Sequence, residues 1–173
     1  MIKKARRTVE KQNRVIVLMG VSGSGKTTIG RLLSAELGWK YYEGDDFHPL
    51  ANVEKMRSGI PLDDSDRKPW LEILRQLIRS CLEQGDSAVL ACSALKKSYR
   101  ELLLIDERVV LIYLKGNYEL IQQRLIERRD HFMNTTLLDT QFAILEEPKA
   151  DIQVDVSLSP AEIVKSIRKR LHL

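Results

Sequence analysis

Long apolar runs are missing from this sequence. None approaches the roughly 18 residues that a membrane-spanning helix requires, and no membrane partner is expected. Its start, MIKKARRTVEKQNR, has charges with no apolar segment behind them, which argues against a secretory signal and reads as a short solvated tail. Cysteine is nearly absent. Cys81 and Cys92 sit among apolar residues without metal-ligand spacing, so they are expected as buried reduced thiols in a cytoplasmic protein. Gly/Ser-rich linkers, internal repeats and low-complexity segments are also lacking, which leaves one domain over residues 15–173 behind a basic tail over 1–14. Basicity itself is missing from that domain. Residues 1–14 hold six cations against one acid, so of the chain's formal charge of +4 the remainder carries about −1. A duplex-binding surface needs a basic face in the body, and no nucleic-acid partner is expected.

What is present is an alternation of strands and helices. Arg14 to Met19 is a short β-branched run of the kind that forms a buried parallel strand, and Gly20 ends it. Ile29, Leu32, Leu33 and Leu37 then share a helical face from Lys26 to Leu37, with Gly38 as its stop. Further strands are expected at 39–43, 87–92, 109–114 and 153–156. Trp70 to Leu82 has helical spacing with Pro69 suited to the first turn, and helices are also expected from Asn117 to about Arg128 and over 137–145. Ser159 caps a last helix whose Ile163, Ile167 and Leu171 share a face. This rhythm predicts an α/β fold, a five-stranded parallel sheet flanked by helices through right-handed crossovers.

Between the first strand and helix lies GVSGSGKT, a full match to the phosphate-binding pattern G-x-x-x-x-G-K-[ST] in the strand-to-helix context that it requires. Gly20, Val21, Ser22, Gly23, Ser24, Gly25, Lys26, Thr27 and Thr28 are therefore the nucleotide-binding candidates. The glycines let backbone N–H groups curl toward phosphate oxygens, and the helix N-terminus adds partial positive charge. Lys26 is expected on the β- and γ-phosphates, and Thr27 on Mg²⁺.

Two other signatures of NTP-using proteins are absent. No carboxylate ends the third or fourth strand, where ATPases hold Mg²⁺, and no N-K-x-D guanine signature occurs. The acids follow strand two instead, in GDDFHPLANVEKMRSGIPLDDSDRKPW. There Asp45 can orient an acceptor hydroxyl, take its proton, or help hold Mg²⁺. Asp46 stands beside it with even claim. Arg67 offers a planar fork for an acceptor carboxylate, against the plainer reading of a surface ion pair with Asp64 or Asp66.

These blocks carry a family resemblance. GVSGSGKT, EGDDFHP, NVEKM, GIPLDDSDRKPWL, CSALKKSYR, YLKG, HFM and LLDTQF, in this order, resemble the gluconate kinases from about Val15 to the last helix. The resemblance implies transfer of the ATP γ-phosphate to the 6-hydroxyl of D-gluconate, a homodimer, and a kinase fold with a lid over about 124–137. On that pattern Asp45 orients the reacting hydroxyl, and Lys26, Arg124 and Arg128 serve the transferring phosphoryl group. His48 is either a hydroxyl ligand or a structural cap. Lys96 and Arg100, four apart, are secondary candidates for the substrate anion, and Lys97 is expected to face water. Glu43 stands where the family often has Asp, and Asp130 where it often has Gly.

Overall fold

The structure, a computed structural model, describes residues 13–127, 135–149 and 152–173. Most of the basic tail and residues 128–134 of the expected lid, with Arg128 and Asp130, lie outside the described residues. Asn13 and Arg14, read above as tail, are tied to the body. The Asn13 side chain donates to the carbonyls of Cys81, Leu82 and Asp86, and Arg14 donates to Leu171 O.

All five expected strands are present. They are β1 (Val15–Met19), β2 (Lys40–Glu43), β3 (Ala88–Ala91), β4 (Val109–Lys115) and β5 (Ile152–Asp155), paired in parallel in the order β2-β3-β1-β4-β5. Central β1 is buried throughout, and its period of two divides the core. Ile16 and Leu18 face the layer that holds α1 (Lys26–Leu37), α5 (Tyr118–Glu127), α6 (Thr135–Ile144) and α7 (Pro160–Leu171). Val15, Val17 and Met19 face Trp70, Leu74 and Ile78 of α3 (Asp64–Gln84) and Tyr99 and Leu103 of α4 (Lys97–Leu103). Ser159 and Glu162 form the reciprocal cap of α7, whose Ile163, Ile167 and Leu171 are buried as their spacing predicts. Cys81 and Cys92 are buried and unpaired, and burial pushes the Cys92 thiol up to about 12.

Three helices differ from expectation: α4, which was not anticipated, and two in the mixed-charge stretch. α2 (Leu50–Arg57) was not anticipated, because its polar side chains carry little amphipathic pattern. α3 begins at Asp64, not beside Pro69. Asp63 accepts from Asp66 N at 2.9 Å while Asp66 accepts from Asp63 N at 3.1 Å, a reciprocal cap strong enough to set the start. Pro69 consequently lies in the second turn, where its missing N–H costs one backbone bond.

Candidate active site

The strand-to-helix loop has the backbone that its glycines permit. Gly20, Gly23 and Gly25 have φ of 155°, 82° and 93°. At Gly20 a β-carbon would fall 2.6 Å from Ser24 Oγ and 2.8 Å from Leu114 O, so no larger residue fits. Lys26 folds over the loop and donates to the carbonyls of Gly20 and Val21, each at 3.0 Å. The Ser24 hydroxyl is buried and has no hydrogen-bond partner among the described residues.

Thr27 Oγ1 donates to Glu43 Oε2 at 2.7 Å, and Tyr41 donates to the same oxygen at 2.6 Å. Burial and this carboxylate both raise the Tyr41 pKa, so the phenol remains a donor. The end of β2 thus brings Glu43, rather than a residue of β3 or β4, to the threonine of the loop. Two hard oxygen donors side by side suit Mg²⁺, which takes one or two protein oxygens and fills its octahedron with phosphates and water.

Beyond Glu43 the chain makes a single 3₁₀ turn over Gly44–Phe47. Gly44 packs so closely on β3 that a β-carbon would meet Ala91 O at 2.6 Å. Its carbonyl accepts from the buried indole of Trp70 at 2.8 Å. Asp45 projects outward with 78% of its side chain exposed, and Asp46 is exposed too. His48 lies over Trp70, ring centroids 4.3 Å apart at 14°, with only 5% of its side chain exposed. Its Nε2 is 4.0 Å from Asp45 Oδ1. Burial, helped by Arg67, lowers the His48 pKa against the opposing pull of Asp45.

A second group gathers where α3 and α4 meet. Lys96 Nζ donates to both oxygens of Asp64, at 2.7 and 2.8 Å, and the Tyr99 hydroxyl donates to Asp64 Oδ1. These hydrogen bonds hold the Asp64 carboxyl below its usual range. Asp66 is taken by Lys55 at 2.6 Å. Arg67 therefore pairs with neither acid. It donates to Tyr99 Oη at 3.3 Å and lies over that ring, and among the described residues no carboxylate is within ion-pair distance of it.

Other expected residues lie elsewhere. Arg100 does not join Lys96 at an anion site: it is buried and donates to the carbonyls of Ala94 and Leu95, bracing a turn in which Ala94 has φ 44°. Lys97 is exposed as expected, its backbone N–H accepted by Glu146. Arg124, expected on the transferring phosphoryl group, donates to Val156 O at 2.5 Å. Glu43, Asn52, Asp64, Tyr99 and Gln141 carry contacts that sequence reasoning did not assign, although each lies in one of the blocks that carry the resemblance.

Comparison with known proteins agrees with this geometry. The family model described as Shikimate kinase matches residues 22–172. A probable gluconokinase of Xenopus tropicalis is 41% identical, with 92% of this chain and 96% of that protein covered. The gluconokinase of Gluconobacter oxydans is 47% identical over 80% of this chain and 78% of its own. The crystal structure of a gluconokinase from Sinorhizobium meliloti superposes with a TM-score of 0.82 at 36% identity, covering 93% and 97% of the two chains.

Proposed function

The chain belongs to the gluconokinase family, and from that premise we propose that it transfers the γ-phosphoryl group of ATP to the 6-hydroxyl of D-gluconate, giving 6-phospho-D-gluconate and ADP. The observation that carries this reading is Arg67. Gluconate is a polyol with one carboxylate, and Arg67 is a guanidinium whose two acidic neighbours are already engaged by Lys55 and by Lys96 with Tyr99. A planar fork in that state matches one carboxylate of a ligand.

The rest of the site follows from its parts. The amides of residues 20–27 and the N-terminus of α1 receive the triphosphate, and Lys26 exchanges its two carbonyl partners for phosphate oxygens. Exposed Asp45 accepts a hydrogen bond from the 6-hydroxyl and takes its proton as the new P–O bond forms and the bond to ADP breaks. His48 supplies an N–H to a substrate oxygen from a fixed, buried ring. Thr27 and Glu43 would hold Mg²⁺, whose charge offsets that of the β- and γ-oxygens. Homodimerisation and a cytoplasmic setting complete the proposal. Two buried, unpaired cysteines support a reducing compartment, and no described helix is long and apolar enough to cross a membrane.

The test is ADP release from MgATP with D-gluconate, D-glucose or shikimate as acceptor. Glucose removes the carboxylate, and shikimate is the acceptor after which the matched family model is named. Stimulation by gluconate, with 6-phosphogluconate as product, is the expected result. Equal stimulation by glucose would remove Arg67 from its role, and a response to shikimate alone would replace the acceptor.

A further inference from the structure

The backbone N–H of Ser22, in the middle of the phosphate loop, donates to Gln141 Oε1 of α6 at 2.6 Å. A backbone N–H can only donate, so the atom it meets is the amide oxygen and Nε2 is the other end. Among the described residues, Nε2 meets no acceptor. Phosphate loops bind anions through such N–H groups, yet here one of them is already satisfied by a neutral side chain from a different helix.

The helix that delivers Gln141 is well anchored. Leu138 is buried in the core, Phe142 meets Tyr118 edge-on at 5.4 Å, and the Tyr118 hydroxyl donates to Asp139 at 2.6 Å. Just after α6, Glu146 N donates to Leu95 O at 3.0 Å and its carboxylate accepts from Lys97 N. That turn also carries Lys96 of the acceptor group. The segment therefore runs from the phosphate loop to the acceptor side, which places Gln141 on the side of the loop where the terminal phosphoryl group must meet the acceptor.

We propose that Gln141 is a positioning residue for the transferring phosphoryl group. Its amide oxygen caps the Ser22 N–H in the nucleotide-free loop. When a nucleoside triphosphate binds, a phosphate oxygen takes over that N–H, and the released amide turns its NH₂ onto the same phosphoryl group. The exchange runs forward because an N–H bonded to an anionic oxygen is roughly twice as strong as one bonded to a neutral carbonyl. The inference rests on reading residues 20–27 as the triphosphate loop, and it is independent of the acceptor's identity.

The test compares affinities for Mg·AMP-PNP and MgADP, without acceptor, in Gln141→Met and Gln141→Glu. Methionine keeps length and removes both polar ends. Glutamate keeps an oxygen for Ser22 N–H, and so the resting bond, but loses the donor and repels phosphate. Both variants are expected to lower the ratio of AMP-PNP to ADP affinity, by about tenfold for Met and more for Glu, and to reduce kcat by about 10–100-fold. A purely structural role would weaken both nucleotides together and leave the ratio at the wild-type value. An unchanged ratio in Gln141→Met overturns the proposal, whatever Gln141→Glu does, because a new charge beside the loop lowers the ratio by repulsion alone. Because acceptor is absent, that result would leave the gluconate reading standing.

Discussion

Nδ2 of Asn52 lies 3.3 Å from Nδ1 of His48, and the same nitrogen donates to Asp66 O at 2.8 Å. The second contact fixes the amide orientation, since a carbonyl only accepts. The first then makes His48 Nδ1 the acceptor, so the ring's proton resides on Nε2, the atom directed toward Asp45. One buried asparagine thus decides that His48 Nε2 is a donor.

The His48 tautomer has a pH signature. Burial holds its pKa below the ordinary value near 6.5, so the fold favours the neutral ring, and the unfolded chain takes up the proton first as pH falls. Its contribution to stability is complete above about pH 6.5 and declines as pH drops from there toward the lowered native pKa. Melting temperatures followed from about pH 8 to pH 5 should fall more steeply for the wild type than for His48→Gln. Parallel curves would remove His48 from the account.

Arg67→Ala should raise KM for gluconate by roughly 10–100-fold, the worth of a charge-assisted hydrogen-bonded pair. KM for ATP should stay within about twofold. Arg67→Lys should recover only part of the loss, because an ammonium cannot make the forked contact. Initial rates at varied gluconate and fixed saturating MgATP give the answer, and an equal effect on both substrates would argue for a general disturbance.

The Thr27–Glu43 pair predicts a demand for metal. Glu43→Gln keeps an oxygen for the Thr27 hydroxyl but loses the charge, and the free Mg²⁺ giving half-maximal rate should rise by about tenfold. Thr27→Ala should show a larger rise. Titration of Mg²⁺ at constant MgATP distinguishes this from weakened nucleotide binding, which would move KM for MgATP instead.

Asp63→Ala removes the side-chain half of the α3 cap, leaving only the residue-63 N–H on Asp66, and should cost about 1 kcal/mol, or roughly 2–4 °C in Tm for a chain of this length. Since α3 carries Arg67, KM for gluconate should rise modestly as well. A loss in Tm without any change in KM would mean that the first turn frays without disturbing the guanidinium.

The strands, α1, α7 and the phosphate loop were legible because each rests on a local rule: β-branched runs, helical spacing, glycine at left-handed positions. The start of α3 was not, because Pro69 is a conspicuous signal and the Asp63–Asp66 cap a quiet one that prevails by satisfying two N–H groups at once. Arg67 stands out as a candidate by its chemistry alone, but which acids it avoids depends on Lys55, Lys96 and Tyr99, which only the fold brings near. Arg100 misled for the same reason. Its spacing from Lys96 is helical, yet Lys96 sits at the cap with extended backbone and points elsewhere, while Arg100 turns in to brace the strained Ala94 turn. Gln141 reaches the loop across 119 residues of sequence, a relation no periodicity encodes.

Trp70 joins the two ends of the acceptor region. Its indole N–H holds the carbonyl of Gly44, its ring face supports His48, and three residues earlier on the same helix stands Arg67. The groups proposed for the reacting hydroxyl and for the carboxylate are therefore joined through Trp70, the first held by its side chain and Arg67 by the helix that carries it, and they cannot drift apart without breaking it loose. Such a mounting is a gauge of length. Under the proposed reaction, an aldonate one carbon shorter or longer can satisfy one end or the other but not both, so chain length is selected by the rigidity of a single tryptophan.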